Sequence, residues 1–416
     1  MRAILDSDDF KRNFFSKASK VTLFQESCLM NTGQTVFAQL LKFVPFNHFE
    51  YLAQKYKSNH RTQNFTAWSH FICMSYAQFT RREGLRDLVL CLNSQRSRLY
   101  HAGMRHVVSR STLADANERR SFELFESLAK RLTDMALDAV KDTPIPLDLK
   151  EPLYALDSTT IDLCLSLFAW ADFRQTKAAV KAHTVIDLRG AIPVFVSITT
   201  GKVHDVQILD SLHMPAGSIL VMDRGYVDYK RLYQMVKREC SFVVRAKDNM
   251  RYTVCSAQTD DLGDGVRCDE VIELALEKAK RAYPKLLRRV HFYDQQSKLD
   301  LVFLTNRFDL KAVTIAAIYK QRWQIELFFK WLKQNLSIGH FFGNSLNAVK
   351  SQIWIAICTY LIALLAHQSI STKITLRNFM HLIEVNMFEK ISLVQMVENA
   401  QQSNLITSQD QQKNLF

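Results

Sequence analysis

The hydrophobic period of the chain changes at residues 141–148, KDTPIPLD, where Pro144 and Pro146 interrupt it. Before this point apolar residues recur every three or four positions, as in VFAQLLKFV, WSHFICMSYAQF and SFELFESLAKRLTDMALDAV. That spacing predicts amphipathic helices over 1–140. After it come short apolar runs. Leu153–Leu156 ends at Asp157, and Ile219–Met222 ends at Asp223. AHTVIDL (182–188) and IPVFVSI (192–198) flank Arg189-Gly190 and predict a hairpin. His204-Asp205 is a candidate cap for a helix over VQILDSL. DYKRLYQMVKRE then reads as a helix and SFVVRA (241–246) as a strand. Such an order cannot be an all-helical bundle or an all-β sandwich. It requires a mixed α/β domain around a largely buried sheet.

The expected organisation has five parts. A basic helical domain covers 1–140. A first part of the α/β core covers 150–246, and a polar, β-rich insertion covers 247–305. A second part of the core covers 306–345, and a C-terminal helical region covers 346–416, with its last residues frayed. The 14-residue apolar run Ile353–Ala366 falls short of the roughly 18 residues of a membrane span. It reads as a buried helix, so no membrane role is expected. The N-terminus carries early acidic residues and no apolar segment of the secretory kind. The eight cysteines are scattered without C-x-x-C or zinc-finger spacing, as in a chain whose thiols stay reduced.

Lys and Arg number 54 against 41 Asp and Glu, a net charge of +13. Residues 51–110 hold ten Lys/Arg and two Asp/Glu, a local excess of ten minus two, or +8. A polyanion such as nucleic acid suits this balance. Ser109-Arg110-Ser111-Thr112 reads as a helix start that suits phosphate contact. A solvated basic face with no ligand would have the same composition.

The candidate chemistry lies in carboxylates. Asp157 and Asp223 each end a predicted strand, and strand ends on one edge of an α/β sheet are where active-site groups collect. Two carboxylates brought together repel unless a cation lies between them. Oxygen donors without His or Cys favour Mg²⁺ or Mn²⁺ over zinc. The segment 310–336 reads as one helix. On it Tyr319, Arg322, Glu326 and Lys333 fall within about 60° of a single face. Ile318, Ile325, Phe328, Phe329 and Leu332 form another face that would pack on the sheet. Glu326 can complete a metal site with the two Asp, while Arg322 and Lys333 can hold phosphate oxygens. Taken singly, a strand-end Asp is a common turn residue, and this helix face could be mere charge decoration.

ALDSTTIDL around Asp157, VMDRGYVDYKRL around Asp223 and YKQRWQIELFFKWLKQNL around Glu326 occur in that order. Together they resemble the DDE transposases of bacterial insertion sequences, in the "IS-four" family with its Y-(2)-R-(3)-E-(6)-K signature, over roughly 150–370. The resemblance implies a ribonuclease H-like core with an inserted β-region, a DNA-binding domain before it and helices after it. It implies that Asp157, Asp223 and Glu326 bind two Mg²⁺ ions, replaceable by Mn²⁺. It further implies cut-and-paste transposition, with hydrolysis at the element's end followed by attack of the freed 3′-hydroxyl on target DNA. Tyr319, Arg322 and Lys333 would grip phosphates, and Trp323 would stack on a base unless it packs in the core. The implied partners are the terminal inverted repeats, target DNA and a second copy of the chain. The implied location is the bacterial cytoplasm, at the nucleoid. His183 and His204 read as structural. A DNA nuclease or resolvase with the same fold would cut without joining. A DNA-binding regulator would have no use for an intact triad. A sugar hydrolase would not need the excess of Arg and Lys.

Overall fold

The computed structural model describes residues 33–144, 147, 149–174, 177–258, 263–335, 341–370 and 372–402. The expectations for the first fifteen residues, for Cys28 and for the last fourteen residues lie outside them. The chain divides into two compact units. One comprises 1–139 with 335–416, and the other comprises 140–334.

The first unit is helical. Its N-terminal part comprises α1 (Val36–Leu41), α2 (Phe46–Lys55), α3 (Ala67–Phe79), α4 (Leu85–Ser94), α5 (Arg96–Leu99), α6 (Arg110–Arg119) and α7 (Glu123–Ala139). Polar caps start several of them. The Thr35, Thr66 and Ser109 hydroxyls accept from the amides of Ala38, Ser69 and Thr112. The centre of the unit comes from the other end of the chain. α13 (Leu346–Gln368) packs against α7, α3 and α6, and α14 (Leu376–Asn386) packs against α1 and α3. α13 runs nine residues beyond the 14-residue apolar stretch, being 23 residues long. It is long and apolar enough to cross a membrane, yet 94% of its apolar window is buried inside the protein. Each fully buried Leu or Ile on it contributes roughly 1.5–3 kcal/mol.

Polar contacts fix the register between these distant segments. The Asn347 amide donates to the carbonyls of Asn117, Glu118 and Arg120, and its Oδ1 accepts from the Phe122 amide. Gln39 donates to the Ile391 carbonyl and accepts from the Leu393 amide. Buried His70 pairs with Asn117 Oδ1 at 2.7 Å.

The second unit is built on one sheet, ten-stranded among the described residues. Its strands are β1 (Leu153–Leu163), β2 (Asp172–Arg174), β3 (Lys177–Asp187), β4 (Ile192–Thr200), β5 (Ile219–Met222), β6 (Ser241–Arg245), β7 (Tyr252–Gln258), β8 (Val266–Leu274), β9 (Leu287–Asp294) and β10 (Leu299–Thr305). β4 pairs β3 on the edge opposite β1, and β2 pairs the start of β3. The spatial order from there is β3, β1, β5, β6, β10, β9, β8, β7. β1, β5 and β6 are mutually parallel, and the other pairings are antiparallel. The meander β7–β10 therefore extends the same sheet past β6.

Helices cover both faces. α8 (Ile208–Ser211) and α9 (Tyr229–Lys237) lie over one, where Leu156, Leu220, Met222, Phe242 and Val244 meet Ile208, Leu209, Leu232 and Met235. α10 (Glu277–Ala282) packs against α9 and β8, and α11 (Ala312–Lys320) packs against β5, β6, β8 and β9. α12 (Trp323–Asn335) follows and buries Ile325, Phe328, Phe329 and Leu332.

Three sequence expectations need correction. Asp157 does not end its strand. β1 continues through Ser158-Thr159-Thr160-Ile161-Asp162 to Leu163, paired throughout with β3, because β-branched residues sustain the extended backbone. The segment 310–336 is not one helix. It breaks at Gln321 and Arg322, where the amides of Gln321, Arg322, Gln324 and Ile325 bond three residues back rather than four. Finally, the His204-Asp205 pair makes no side-chain cap. The Asp205 carboxylate accepts instead from Ser158 and Lys181.

Candidate active site

Ladder register brings the two aspartates together. The parallel pairing of β1 with β5 ends at Leu156↔Met222. Asp157 and Asp223 are the next residues, so they stand level where β5 has stopped. Asp157 stays clamped by β3 through Asp157↔Thr184. Its Oδ1 accepts from the Ser158 amide at 2.8 Å.

The third carboxylate arrives through an arginine. Arg322 Nη1 lies 3.0 Å from Asp157 Oδ2, and its Nη2 lies 2.5 Å from Glu326 Oε1. The tight turn between α11 and α12 carries Arg322, and Glu326 follows one turn later on α12. Arg322 is largely shielded, with a side chain only 16% exposed. Its guanidinium also lies 5.6 Å over the Tyr319 ring. Tyr319 is buried, packs its ring against Phe303 at 4.7 Å, and makes a long 3.5 Å hydrogen bond to Asp223 Oδ1. Tyr319, Arg322, Asp157, Asp223 and Glu326 thus form one connected group.

Burial pushes the Asp157 carboxyl up to about 6; Asp223 and Glu326 add repulsion, while the Ser158 amide and Arg322 oppose the rise. A site that resists its own negative charge in this way favours a cation. Among the described residues no three His, Cys, Asp or Glu stand as a ready ligand cluster, because Arg322 fills the space between Asp157 and Glu326. The donor chemistry fits a hard divalent cation: Asp157, Asp223 and Glu326 offer carboxylate oxygens, and His183 is buried with its Nε2 on Thr199.

Two other predicted residues lie apart from this group. Lys333 is exposed two turns beyond Glu326 on α12. Trp323 is 60% exposed and does not pack in the core. His204 is exposed. Sequence reading missed Ser158, Lys181 and Asp205, which meet beside Asp157. The one available signal was alternation: if β1 continues past Asp157, Ser158 must face the sheet side opposite to it.

Residues 148–362 match the model of the transposase DDE domain, about half of the chain. Residues 32–105 match a domain family of unknown function (DUF4372). A Geobacillus stearothermophilus protein named as a transposase for insertion sequence element IS5377 is 31% identical over 59% of this chain and 64% of its own length. The Sinorhizobium fredii protein named as transposase y4zB is 32% identical over 67% of this chain and 77% of its own. A Synechocystis protein named for insertion sequence element IS4SA is 27% identical over 72% of this chain and 85% of its own. The domain match contains all of Asp157, Asp223, Tyr319, Arg322 and Glu326, and the chain belongs to the DDE transposase family of bacterial insertion sequences.

Proposed function

We propose that this transposase cuts DNA at the terminal inverted repeats of its own element and joins the freed 3′-hydroxyl to target DNA, in a cut-and-paste reaction. The observation that carries the reading is the level placement of Asp157 and Asp223, with Arg322 linking Asp157 to Glu326. Asp157, Asp223 and Glu326 hold two Mg²⁺ ions, or Mn²⁺ in their place. Bound there, the ions would lower the pKa of an attacking water or 3′-hydroxyl and offset charge on the leaving oxygen. The remaining work falls to the side chains. Arg322 neutralises the carboxylates in the free protein and turns to the scissile phosphate when DNA binds. Tyr319 holds Asp223 and closes the floor of the site. Lys333 reaches a flanking phosphate, and Trp323 offers an exposed ring to an unstacked base.

The strand order β4–β3–β1–β5–β6, antiparallel up to β1 and parallel beyond it, supports a ribonuclease H-like core. β7–β10 are then the insertion, placed between the two parts of that core. The basic helical unit supplies end-specific DNA binding, and two copies pair two ends in a synaptic complex. This chemistry suits the bacterial cytoplasm, at the nucleoid.

The test uses purified full-length protein, a linear DNA carrying the element's ends, Mg²⁺ and a target plasmid. End cleavage followed by joined product is expected. Asp157→Ala, Asp223→Ala and Glu326→Ala should each lose cleavage and joining by roughly a thousandfold or more while keeping end binding. Near wild-type cleavage by any of the three overturns the triad. Cutting without joining turns the reading into a nuclease.

A further inference from the structure

On the sheet face opposite the Asp157 side chain, a second polar group meets that the chemistry above does not use. Ser158 Oγ donates to Asp205 Oδ1 at 2.8 Å. Lys181 Nζ donates to the same oxygen at 3.2 Å and to the Val203 carbonyl at 2.9 Å. His183, fully buried, brings Nδ1 to 3.7 Å from that oxygen. The two donors come from β1 and β3, and the acceptor from the turn after β4; His183 Nδ1 stays beyond hydrogen-bond distance.

We propose that Asp205, with Lys181 as its counter-charge, is a positioning residue that pins Ser158 and thereby orients the Asp157 carboxylate. The inference rests on the reading of Asp157 as a metal ligand.

The ladder explains why a pin is needed. Beyond Leu156↔Met222, β1 has lost β5 and is paired to β3 alone. Yet the Ser158 amide in this half-supported stretch is what fixes Asp157 Oδ1, at 2.8 Å, and so leaves Oδ2 facing Arg322 and Glu326. An amide orients a carboxylate only as well as its own peptide is held. The Ser158 hydroxyl, bonded on the far face, supplies that hold. Partners that orient a ligating side chain in this way typically change metal affinity 10–100-fold when removed. Lys181 has a second part in this. Asp205 is a carboxylate on the far sheet face, and a partner charge holds it there. With Lys181 on the same oxygen, its side chain only 13% exposed, Asp205 is neutralised and serves only to orient.

The experiment compares full-length wild type with Ser158→Ala, Asp205→Ala, Ser158→Thr and Asp157→Ala. Mn²⁺ binding is read from the spin-resonance signal of the free ion, and folding from thermal melts. Single-turnover end cleavage is followed against Mg²⁺ concentration. Ser158→Ala and Asp205→Ala should weaken Mn²⁺ binding about 10–100-fold and raise the half-saturating Mg²⁺ alike. Their cleavage rates at saturating metal should approach wild type. Ser158→Thr keeps the hydroxyl and should restore wild-type binding. Wild-type Mn²⁺ affinity in both Ala variants, with loss in Asp157→Ala, overturns the pin. So does failure of Ser158→Thr to restore binding, because the effect would then be general damage to β1. Wild-type affinity in Asp157→Ala overturns the triad itself and this inference with it.

Discussion

Leu156 and Met222 form the last rung of the parallel ladder between β1 and β5, and the next residue on each strand is an aspartate. Asp157 and Asp223 are 66 positions apart in the chain, yet one rung sets them level. β3 continues to hold the Asp157 side of the gap, and Tyr319 holds the Asp223 side. Arg322 then lies between Asp157 and Glu326 and bonds both.

That placement gives Arg322→Ala two opposite effects. Without DNA, Mn²⁺ should bind the carboxylates more tightly, by roughly tenfold, because a competing cation has gone. With DNA, cleavage of the element's end should fall, because the scissile phosphate is no longer aligned. Lys333→Ala lacks the first effect, since Lys333 is exposed and away from the carboxylates, but should share the second. Each variant should lower the salt slope of end binding by about one. Mn²⁺ titration and gel shifts across a salt series check both statements. Unchanged metal and DNA binding in both variants would leave Arg322 a structural counter-charge to Asp157 and Glu326 and Lys333 a solvated surface residue.

The raised Asp157 carboxyl predicts a pH dependence of stability in the metal-free protein. A carboxyl whose folded value lies above its unfolded one costs stability once it is ionised. Below about pH 4 it is neutral in both states and costs nothing. The cost grows between pH 4 and 6, as the unfolded chain ionises first. Above pH 6 it is complete, at about 3 kcal/mol for a rise from 3.8 to about 6. Asp157→Asn should therefore stabilise the chain at pH 8 by up to about 3 kcal/mol, and by nothing near pH 4. Urea unfolding at the two pH values measures the difference. Equal shifts at both would mean that the carboxylate is not destabilised by its surroundings.

The first unit predicts how the chain can be cut. α13 supplies its central helix, and Asn347 ties α13 to the end of α6. A fragment ending at residue 140 exposes the apolar surfaces of α3 and α7 that α13 covers, and should be unfolded or aggregated. A fragment joining 33–139 to 341–402 through a flexible linker should fold with a cooperative melt. Circular dichroism and size-exclusion chromatography distinguish the two. A stable, monomeric short fragment would show that α13 is dispensable.

One exposed stretch of that unit concentrates its cationic groups. From Arg96 to Thr112 the chain holds Arg96, Arg98, Arg105, Arg110, His101 and His106 and no acidic residue. All six are exposed, and Arg105 lies 5.6 Å over the ring of exposed Tyr100. Replacing Arg96, Arg98, Arg105 and Arg110 by Ala in the full chain should lower the salt slope of end-DNA binding by up to about four, one per lost phosphate contact. The melting temperature should barely move, since surface changes of this kind stay within about 0.5 kcal/mol each. An unchanged slope would place the DNA elsewhere.

Much of this was legible in the sequence because it depends on local pattern. The switch from helical spacing to short apolar runs after residue 140 marks the passage from a helical unit to a sheet, and the Arg189-Gly190 hairpin is present as β3 and β4. The apolar face of 310–336 fixed which residues would be buried: Ile318, Ile325, Phe328, Phe329 and Leu332 all are. Arg322 does contact both Tyr319 and Glu326, although the helix expected to carry all three breaks at Gln321 and Arg322.

What depends on partners far away in the chain was decided only by the fold. Where β1 ends is a matter of pairing, and β3 carries it past Asp157 to Leu163 although the apolar run stops at Leu156. Whether Arg322 meets a phosphate or a carboxylate depends on what stands opposite it, and here Asp157 stands opposite. Asp205 looks like a helix cap until the sheet brings Ser158 and Lys181 to it. The C-terminal helices read as a separate region because their apolar faces do not name the surface they cover. Periodicity says that a face must be buried. The partner that buries it, and the register in which it does so, follow from packing between segments hundreds of residues apart.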